Sequence, residues 1–362
     1  MPLQSVELRN VEAMPPDIAE TLLSLGDALD EAVPARVLDR NLLIGTWNIR
    51  QLGGFTGKWH TAPGDSPKRN LADLHYIAEI ISRFDVVAVQ ETRDDLAALR
   101  LIVQLLGPEW GLLLSDVTHG AKGNQERLGY IFDLRRVKPS GLVGELVAPP
   151  EDLKELRELR RAHPLPSDTP TGRTPEERAK SKAAIELERE FGGQLDRTPY
   201  LASFKTAGRP FMLATVHLVW GDVSDLDRRA DEAGLLAKLL AATVETPKGG
   251  AVDEFRSNLI ALGDLNATAD DDPIIGALRS AGMVTASELA GVPRTTNDKG
   301  GPSDKIAYDQ FAWFSKPGSL NFPRVGGGSF PWDTHVLQGV ASNTFRISDH
   351  YPLWMEFDVE AA

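Results

Sequence analysis

Side chains able to bind a metal ion or a phosphate interrupt apolar stretches of this sequence at five places. The stretches and their polar residues are LLIGTWNI with Asn48, DVVAVQE with Glu91, ATVHLV with His217, IALGDLN with Asp264 and Asn266, and SDHYPLW with Asp349 and His350. Any one of them alone would be read as a turn or surface residue. Because all of them lie at the ends of strand-like runs, we expect them to converge at one edge of a sheet.

These residue types suit the hydrolysis of a phosphodiester, an anion that repels an attacking water. The carboxylate of Glu91 and the amide oxygen of Asn48 are ligands that Mg²⁺, Mn²⁺ or Ca²⁺ accept. Such a cation neutralises the phosphate and stabilises charge on the attacking or departing oxygen. The imidazoles of His217 and His350 can hydrogen-bond phosphoryl oxygens or transfer protons near neutral pH.

Three further side chains have candidate roles beside the two imidazoles. Asp309, in AYDQFAW, is a candidate partner that orients His350, because a histidine needs a partner to fix its tautomer. The alternative for Asp309 is a simple turn carboxylate. We expect Asp264 to align the attacking water and Asn266 to donate to a phosphoryl oxygen.

Helical and strand-like patterns alternate along the chain, but some strands follow each other directly. Helical spacing covers residues 17–29, a segment capped by Asn70, and residues 94–106 and 225–240. The strand-like runs are LLIGTWNI, DVVAVQ, PYLASFKT, PFMLATVHLV, NLIALGDLN, QFAWF and YPLWMEFDV. This order favours an α/β (α+β) architecture with a mixed sheet over a purely parallel one.

Two segments differ in composition from the rest of the chain. Residues 1–38 are interpreted as an N-terminal extension ahead of a catalytic domain that spans residues 39–362. Residues from about 145 to 195 are interrupted by proline and rich in Glu, Arg and Lys, which predicts a charged helical insertion. The nearly balanced charge of this insertion favours a solvated surface over a nucleic-acid-binding arm.

The bulk composition excludes several classes of protein. The 362 residues include no cysteine, so disulfides, thiolate metal sites and a cysteine nucleophile are excluded. No apolar run approaches the roughly 20 residues of a membrane span, and the N-terminus lacks a signal-peptide pattern. We therefore expect the cytoplasm by default, with secretion by another route left open. A net charge of −13 counts against tight DNA binding but is compatible with a local basic groove. The sequence indicates no protein partner.

From about residue 41 to 358, the motifs resemble in order those of the DNase I-like endonuclease/exonuclease/phosphatase superfamily, most closely its DNase I branch. The similar stretches are TWNIRQLGG, FDVVAVQETRD, RTPYLASF with LATVHL, LGDLNAT, AYDQF and SDHYPLW. The resemblance implies metal-side ligands at Asn48, Glu91 and Asp349. It also implies a catalytic set of His217, Asp264, Asp309 and His350.

The resemblance further implies phosphate contacts by two arginines, Arg197 and Arg93. A salt bridge in the insertion is an equal alternative for Arg197, and a bridge to Asp94 or Asp95 is an equal alternative for Arg93. Trp332, in GGGSFPWDTH, has two interpretations of equal weight. It lines the substrate groove as a stacking platform, or it pins a mobile loop.

The fold implied by the resemblance is a two-sheet mixed β-sandwich flanked by helices, with the site at one sheet edge. The leading functional hypothesis is a Mg²⁺-dependent endonuclease that hydrolyses DNA without sequence specificity. A small-molecule or lipid phosphodiesterase or phosphatase is the alternative, which the acidic charge supports. A non-catalytic binding protein is the third hypothesis. The abasic-site repair branch is disfavoured, because His217 stands where that branch has a tyrosine.

Overall fold

A computed structural model describes residues 13–118, 125–147, 174–175, 178, 195, 197–220, 226–244, 258–296, 302–303, 306–316, 319–336 and 345–360. The helices are α1 (Pro16–Ala32), α2 (Leu71–Ile81), α3 (Ala97–Leu106), α4 (Leu226–Val244) and α5 (Pro273–Ser280). The strands are β1 (Asn41–Leu52), β2 (Val86–Thr92), β3 (Trp110–Leu114), β4 (Arg127–Asp133), β5 (Lys138–Glu145), β6 (Tyr200–Thr206), β7 (Arg209–His217), β8 (Leu259–Asp264), β9 (Met283–Thr285), β10 (Thr295–Thr296), β11 (Pro302–Ser303), β12 (Asp309–Phe314), β13 (Arg324–Ser329) and β14 (Leu353–Asp358). Apart from Pro175 and Arg178, the two helices predicted within the 145–195 insertion lie outside the described residues.

Twelve of the strands form two mixed sheets of six strands each. Sheet 1 has the order β13-β14-β1-β2-β4-β3, and sheet 2 has the order β5-β6-β7-β8-β12-β9. The pairs β1–β2 and β7–β8 are parallel, whereas the other pairs within these sheets are antiparallel. The predicted two-sheet mixed sandwich flanked by helices is confirmed.

Alternation of side chains along the strands builds three apolar layers. In β1, Leu42 and Ile44 face the space between the sheets, where they pack with residues of sheet 2 such as Phe204 and Phe311. Leu43 and Trp47 belong instead to the layer between sheet 1 and the helices α1–α3. Met212 and Ala261 of sheet 2 pack with α4 and α5 in the third layer.

The described part of the predicted N-terminal extension packs against α2 and sheet 1. Helix α1 buries Leu25 and Leu29 completely, in the same apolar cluster as Ile77 of α2. Helix α2 begins at Asn70, which forms a reciprocal capping box with Asp73, as the predicted cap required. Among the described residues, no helix is long and apolar enough to cross a membrane.

The two parallel strand pairs fix where polar residues meet. Asn48, Glu91, His217 and Asp264 lie at or near the carboxyl ends of their strands. Because β1 runs parallel to β2 and β7 runs parallel to β8, these ends meet at one end of the sandwich. We call this end of the sandwich the carboxyl edge. The opposite end, where β1 and β2 begin and the antiparallel β4 ends, is called the amino edge.

Candidate active site

The register of sheet 2 places three of the predicted residues side by side at the carboxyl edge. His217 lies opposite Asp264 in the β7–β8 pair, and Asp264 lies opposite Asp309 in the β8–β12 pair. The close approach of β7 and β8 depends on Gly263, which has φ +137° and whose added Cβ would lie 2.1 Å from the Val216 carbonyl oxygen. Only glycine fits there, so the GDLN motif also serves strand packing.

The two histidines and three carboxylates form one continuous row. His217 Nδ1 lies 3.0 Å from Glu126 Oε2, and its Nε2 lies 3.5 Å from Asp264 Oδ2. His350 Nδ1 lies 2.6 Å from Asp309 Oδ2, and its Nε2 lies 3.8 Å from the same Asp264 oxygen. Each imidazole therefore turns one nitrogen to an outer carboxylate and the other to the central Asp264.

The backbone around His350 is held in place by bonds from sheet 1 and from a buried tryptophan. Ser348 Oγ accepts from the His350 N–H at 2.9 Å and donates to Asn48 O at 2.5 Å. The indole N–H groups of Trp47 and Trp332 donate to His350 O at 2.9 and 3.0 Å. Trp332 is 1% exposed, so the prediction of a stacking platform at this residue is wrong; the indole anchors the histidine from the core.

Asn48 links the row to Glu91. Its Nδ2 donates to Glu91 Oε1 and to Asp264 Oδ2, both at 3.0 Å. The backbone N–H of Gln51 donates to the other Glu91 oxygen at 3.0 Å. Because two carboxylates accept from one end of the Asn48 amide, that end is the nitrogen, and the amide oxygen points away from both carboxylates. Its Oδ1 is buried and receives no hydrogen bond from any residue that the structure describes.

Charges within the row shift the pKa values of its members. Burial raises the pKa of Asp264 and of Glu91, but the facing histidines and the hydrogen bonds from Asn48 and from backbone N–H groups together hold both pKa values below their usual range. Burial lowers the pKa of His350, but Asp309 and Asp264 on either side of the ring have the larger, opposite effect and raise the pKa to about 10. Without a bound cation, His350 therefore carries a proton at neutral pH.

Glu126 is the member of the row that sequence reasoning missed. It is 3% exposed, and its Oε2 lies 3.1 Å from Arg197 Nε as well as beside His217. These contacts are close, but their angles are not those of hydrogen bonds. The carboxylate comes directly before β4, whose first residue pairs with Thr92 at the end of β2. No pattern in the sequence singles Glu126 out, because its position beside Glu91 depends on the pairing of β4 with β2.

The two predicted arginines occupy different environments. Arg197 is buried, pairs with Glu126, and donates from Nη1 to Leu218 O at 3.1 Å. It thus makes a salt bridge, but the partner lies in the site and not in the insertion. Arg93 is half-buried, two residues beyond Glu91, and its backbone N–H donates to Leu52 O at 2.8 Å.

Asn266 is buried beside the row, whereas Asp349 faces outwards. The Asn266 N–H donates to Asp264 Oδ1 at 2.9 Å, and its Nδ2 donates to Leu218 O at 2.7 Å. This second bond uses one of the two amide hydrogens. The Asp349 carboxylate is 40% exposed and lies 3.1 Å from Arg50 Nη1. The structure thus brings eight predicted residues into one contact network: Asn48, Glu91, Arg197, His217, Asp264, Asn266, Asp309 and His350.

Comparison with known proteins identifies both a family and a set of similar folds. The model of the Endonuclease/Exonuclease/phosphatase family matches residues 45–350. No curated protein matches the chain in sequence. Among solved structures, an endonuclease/exonuclease/phosphatase family protein from Bacteroides thetaiotaomicron has 14% identity and a TM-score of 0.51, covering 88% of this chain and 95% of its own.

Two further structures are similar over the same extent. D. rerio TDP2 complexed with a single-strand DNA product has 15% identity and a TM-score of 0.51, with 88% of this chain and 98% of that chain covered. The mannosyl-6-phosphatase of Bacteroides thetaiotaomicron has 14% identity and a TM-score of 0.51, with 87% and 99% covered. At this level of identity the likeness shows a common fold and does not select a substrate.

Proposed function

The chain belongs to the endonuclease/exonuclease/phosphatase family, and from that premise we propose that it is a divalent-metal-dependent phosphodiesterase that cleaves DNA without sequence specificity. The family places it among hydrolases that act on phosphoester bonds. One observation carries the finer proposal: two imidazoles converge on Asp264, each backed by its own buried carboxylate. That arrangement supplies two proton-transfer groups on either side of one reacting phosphate.

The donor set beside this row fits a hard cation such as Mg²⁺, with Mn²⁺ or Ca²⁺ as alternatives. Glu91 offers carboxylate oxygens, and the Asn48 amide oxygen, which no described residue satisfies, would reach the same cation once the amide turns over. Glu91, Glu126 and His217 also place one possible ligand atom each within 4.8 Å of the others. Because the Arg197 guanidinium lies 3.1 Å from Glu126, we assign the cation to the Asn48 and Glu91 side. The cation would neutralise phosphate charge there.

Asp349 is the third proposed metal-side residue. Its exposed carboxylate pairs with Arg50, so it is available from solvent without burying an unpaired charge. Asp349 would help to hold the cation, while Arg50 keeps the local charge balanced.

The remaining residues have roles set by the atoms they present. His350, protonated between Asp309 and Asp264, would donate a proton to the departing oxygen. Glu126 and Arg197 orient His217, whose Nε2 faces Asp264 and the reacting centre. Asp264 aligns the attacking water, and the second Asn266 amide hydrogen is placed to bond a phosphoryl oxygen. Arg93 and Arg197 supply positive charge toward the phosphate.

A polynucleotide substrate is supported by aromatic side chains near the site. Phe345 is 50% exposed and lies with its ring centroid 3.7 Å from the Arg50 guanidinium carbon, and Arg50 in turn pairs with Asp349. Trp220, three residues beyond His217, is 62% exposed. Exposed rings beside a phosphate site can stack on nucleobases.

A small phosphate ester is the second candidate substrate. The net charge of −13 lowers long-range attraction to a polyanion, and the sugar phosphatase from Bacteroides thetaiotaomicron has a similar fold. A phosphatase would act on terminal phosphates and would leave a closed circular plasmid intact.

The test is plasmid nicking with Mg²⁺ and with EDTA, run beside bis-p-nitrophenyl phosphate, sphingomyelin, inositol phosphates and a sugar phosphate. We expect Mg²⁺-dependent nicking that EDTA abolishes and that His350→Ala lacks. Metal-independent nicking, or wild-type activity in His350→Ala, would contradict the mechanism. Cleavage of only the monoesters favours the phosphatase, and metal binding without hydrolysis of any substrate favours a binding protein.

A further inference from the structure

We propose that Arg69 is a positioning residue that orients Glu91 through the peptide group between Arg50 and Gln51. The inference deepens the proposed function and rests on it for the role of Glu91 as a metal ligand. Arg69 lies outside every motif that points to chemistry, in the loop before α2, and is 2% exposed. The sequence pattern around Arg69 does not indicate which groups its guanidinium contacts.

The Arg69 guanidinium donates to four backbone carbonyl oxygens in two separate segments. Nη2 donates to Arg50 O at 2.7 Å, and Nη1 donates to Gln51 O at 2.9 Å. Nε donates to Arg346 O at 2.9 Å, and Nη2 also donates to Ile347 O at 3.1 Å. The first segment follows Asn48, and the second immediately precedes Ser348, Asp349 and His350. One planar side chain therefore sets the spacing between the segment at residues 50–51 and the segment at residues 346–347.

The peptide group between Arg50 and Gln51 connects Arg69 to Glu91 through hydrogen bonds on its two sides. In a trans peptide the C=O and the following N–H point in opposite directions. Arg69 holds the Arg50 carbonyl on one side, so the Gln51 N–H is directed to the other side, where it donates to Glu91 Oε2 at 3.0 Å. Gln51 has φ +46°, a left-handed conformation that a glutamine adopts only at a cost. The bonds from Arg69 stabilise that conformation.

The loop that carries Arg69 is itself fixed to the same segment by a second contact. The next residue, Asn70, caps α2 together with Asp73. Asp73 in turn accepts from Arg346 at 2.7 and 3.0 Å, so the start of α2 binds residue 346 through both its side chain and its carbonyl. Burial lowers the pKa of Arg69, but only to about 10, so the guanidinium stays charged at neutral pH.

Lysine cannot replace this arrangement. Its ammonium carries three N–H groups on one atom, whereas the guanidinium presents donors on three nitrogens in a fixed plane. Arg136 is the matched control at the amino edge. It is also largely buried and bonds Asp85 at 2.7 Å and Asn41 O at 2.7 Å, so it ties together the beginnings of the same strands, β1 and β2.

The experiment compares Arg69→Lys and Arg69→Gln with Arg136→Lys in three measurements. Hydrogen exchange of the Gln51 backbone N–H is followed by NMR in the metal-free protein. Mg²⁺ affinity is measured by calorimetry, and kcat and KM are measured for plasmid nicking. In the Arg69 variants we expect Gln51 to exchange about tenfold faster, and Mg²⁺ affinity and kcat to fall about 10- to 100-fold, with KM little changed. Arg136→Lys should lose stability while Gln51 exchange and kcat stay at wild-type values.

Each result decides the matter. Unchanged Gln51 exchange in a folded Arg69 variant would overturn the proposal, as would an equal rise in Arg136→Lys. If both Arg69 variants fail to fold while Arg136→Lys folds, Arg69 is structural and the proposal is wrong. If the wild-type protein hydrolyses no substrate, the proposed function fails, but the Gln51 exchange still tests the positioning role by itself.

Discussion

The two ends of the sandwich both bury carboxylates, but they neutralise them in different ways. At the amino edge, Asp85 is 0% exposed and binds Arg136 at 2.7 Å, and Asp133 binds Arg36 and Arg135 at 3.0 and 2.7 Å. At the carboxyl edge, the carboxylates of the row face imidazoles instead. Arginine stays charged at every physiological pH, whereas an imidazole gains and loses its proton. The first arrangement fixes strands, and the second can do acid–base chemistry.

The two edges also differ in how completely their polar atoms are satisfied. Both oxygens of Asp85 accept hydrogen bonds, from Arg136 and from the Leu43 N–H. At the carboxyl edge, Asn48 Oδ1 and Asp309 Oδ1 are buried and accept none from the described residues. Unsatisfied oxygen acceptors at this edge indicate that it is built for a ligand.

The largest effect expected from this difference is on activity. Asp264→Asn keeps the size of the side chain but removes the charge that both histidines face. We expect kcat to fall on the order of 10²–10³-fold, because the central carboxylate aligns the water and sets the protonation of His350. The free energy of unfolding should fall by less than in a variant that leaves a buried charge unpaired, since His350 keeps Asp309 as a counter-charge. Plasmid nicking and urea unfolding measure the two quantities.

The same exchange at the amino edge should have the opposite result. Asp85→Asn leaves Arg136 buried without its counter-charge, so the free energy of unfolding should fall by about 3–5 kcal/mol. The kcat of the folded fraction should remain at the wild-type value. A large loss of kcat in Asp85→Asn, or greater destabilisation by Asp264→Asn than by Asp85→Asn, would break the distinction between the edges.

Sequence reasoning reached most of the carboxyl edge because its residues stand out locally. Asn48, Glu91, His217 and Asp264 each interrupt an apolar run, and such runs predict buried strands from their composition alone. The cap at Asn70 is also a local signal. The mixed sheet followed from the order of helices and strands along the chain, whereas the two-sheet sandwich was implied by the resemblance to a known family.

Residues whose roles depend on strand pairing were not accessible in this way. Glu126 lies in the polar stretch NQER, and only the antiparallel β2–β4 pair brings it to His217. Trp332 follows a glycine-rich run that predicts a loop, yet its indole bonds His350 O in the core. Arg69 bonds only backbone carbonyls, which no side-chain pattern can reveal.

The next effect is on how stability depends on pH. The pKa of His350 is raised from its usual value of 6.5 to about 10 in the folded protein. The unfolded chain therefore releases this proton at a lower pH than the folded protein does. The stabilisation is fully present below about pH 6.5 and is lost as the pH rises to about 10. We expect the metal-free protein to lose at least about 1 kcal/mol across this interval.

His350→Gln and Asp85→Asn separate the edges in this measurement. Without the imidazole, the free energy of unfolding in EDTA should become nearly flat over the same pH interval. Asp85→Asn should lower the whole curve by a constant amount, because the arginines of the amino edge do not titrate there. A loss that persists undiminished in His350→Gln would show that another group causes it.

The smallest effect concerns the exposed rings beside the site. Phe345→Ala or Trp220→Ala should raise KM for single-stranded DNA about tenfold each, through the loss of one stacked base. The kcat should not change, because neither ring touches the row of histidines and carboxylates. Activity on bis-p-nitrophenyl phosphate serves as an internal control, since this substrate has no nucleobase.

Leu38 provides the matched control at the amino edge, because it is 62% exposed, the same fraction as Trp220. Leu38→Ala should leave KM unchanged, since an exposed apolar side chain far from the site only contacts water. If KM for DNA is unchanged in all three variants, the aromatic rings do not bind bases, and the acidic charge of the chain then argues for a small ester. If only the variants at the carboxyl edge weaken DNA binding, that edge both cleaves the phosphate and holds its neighbouring bases.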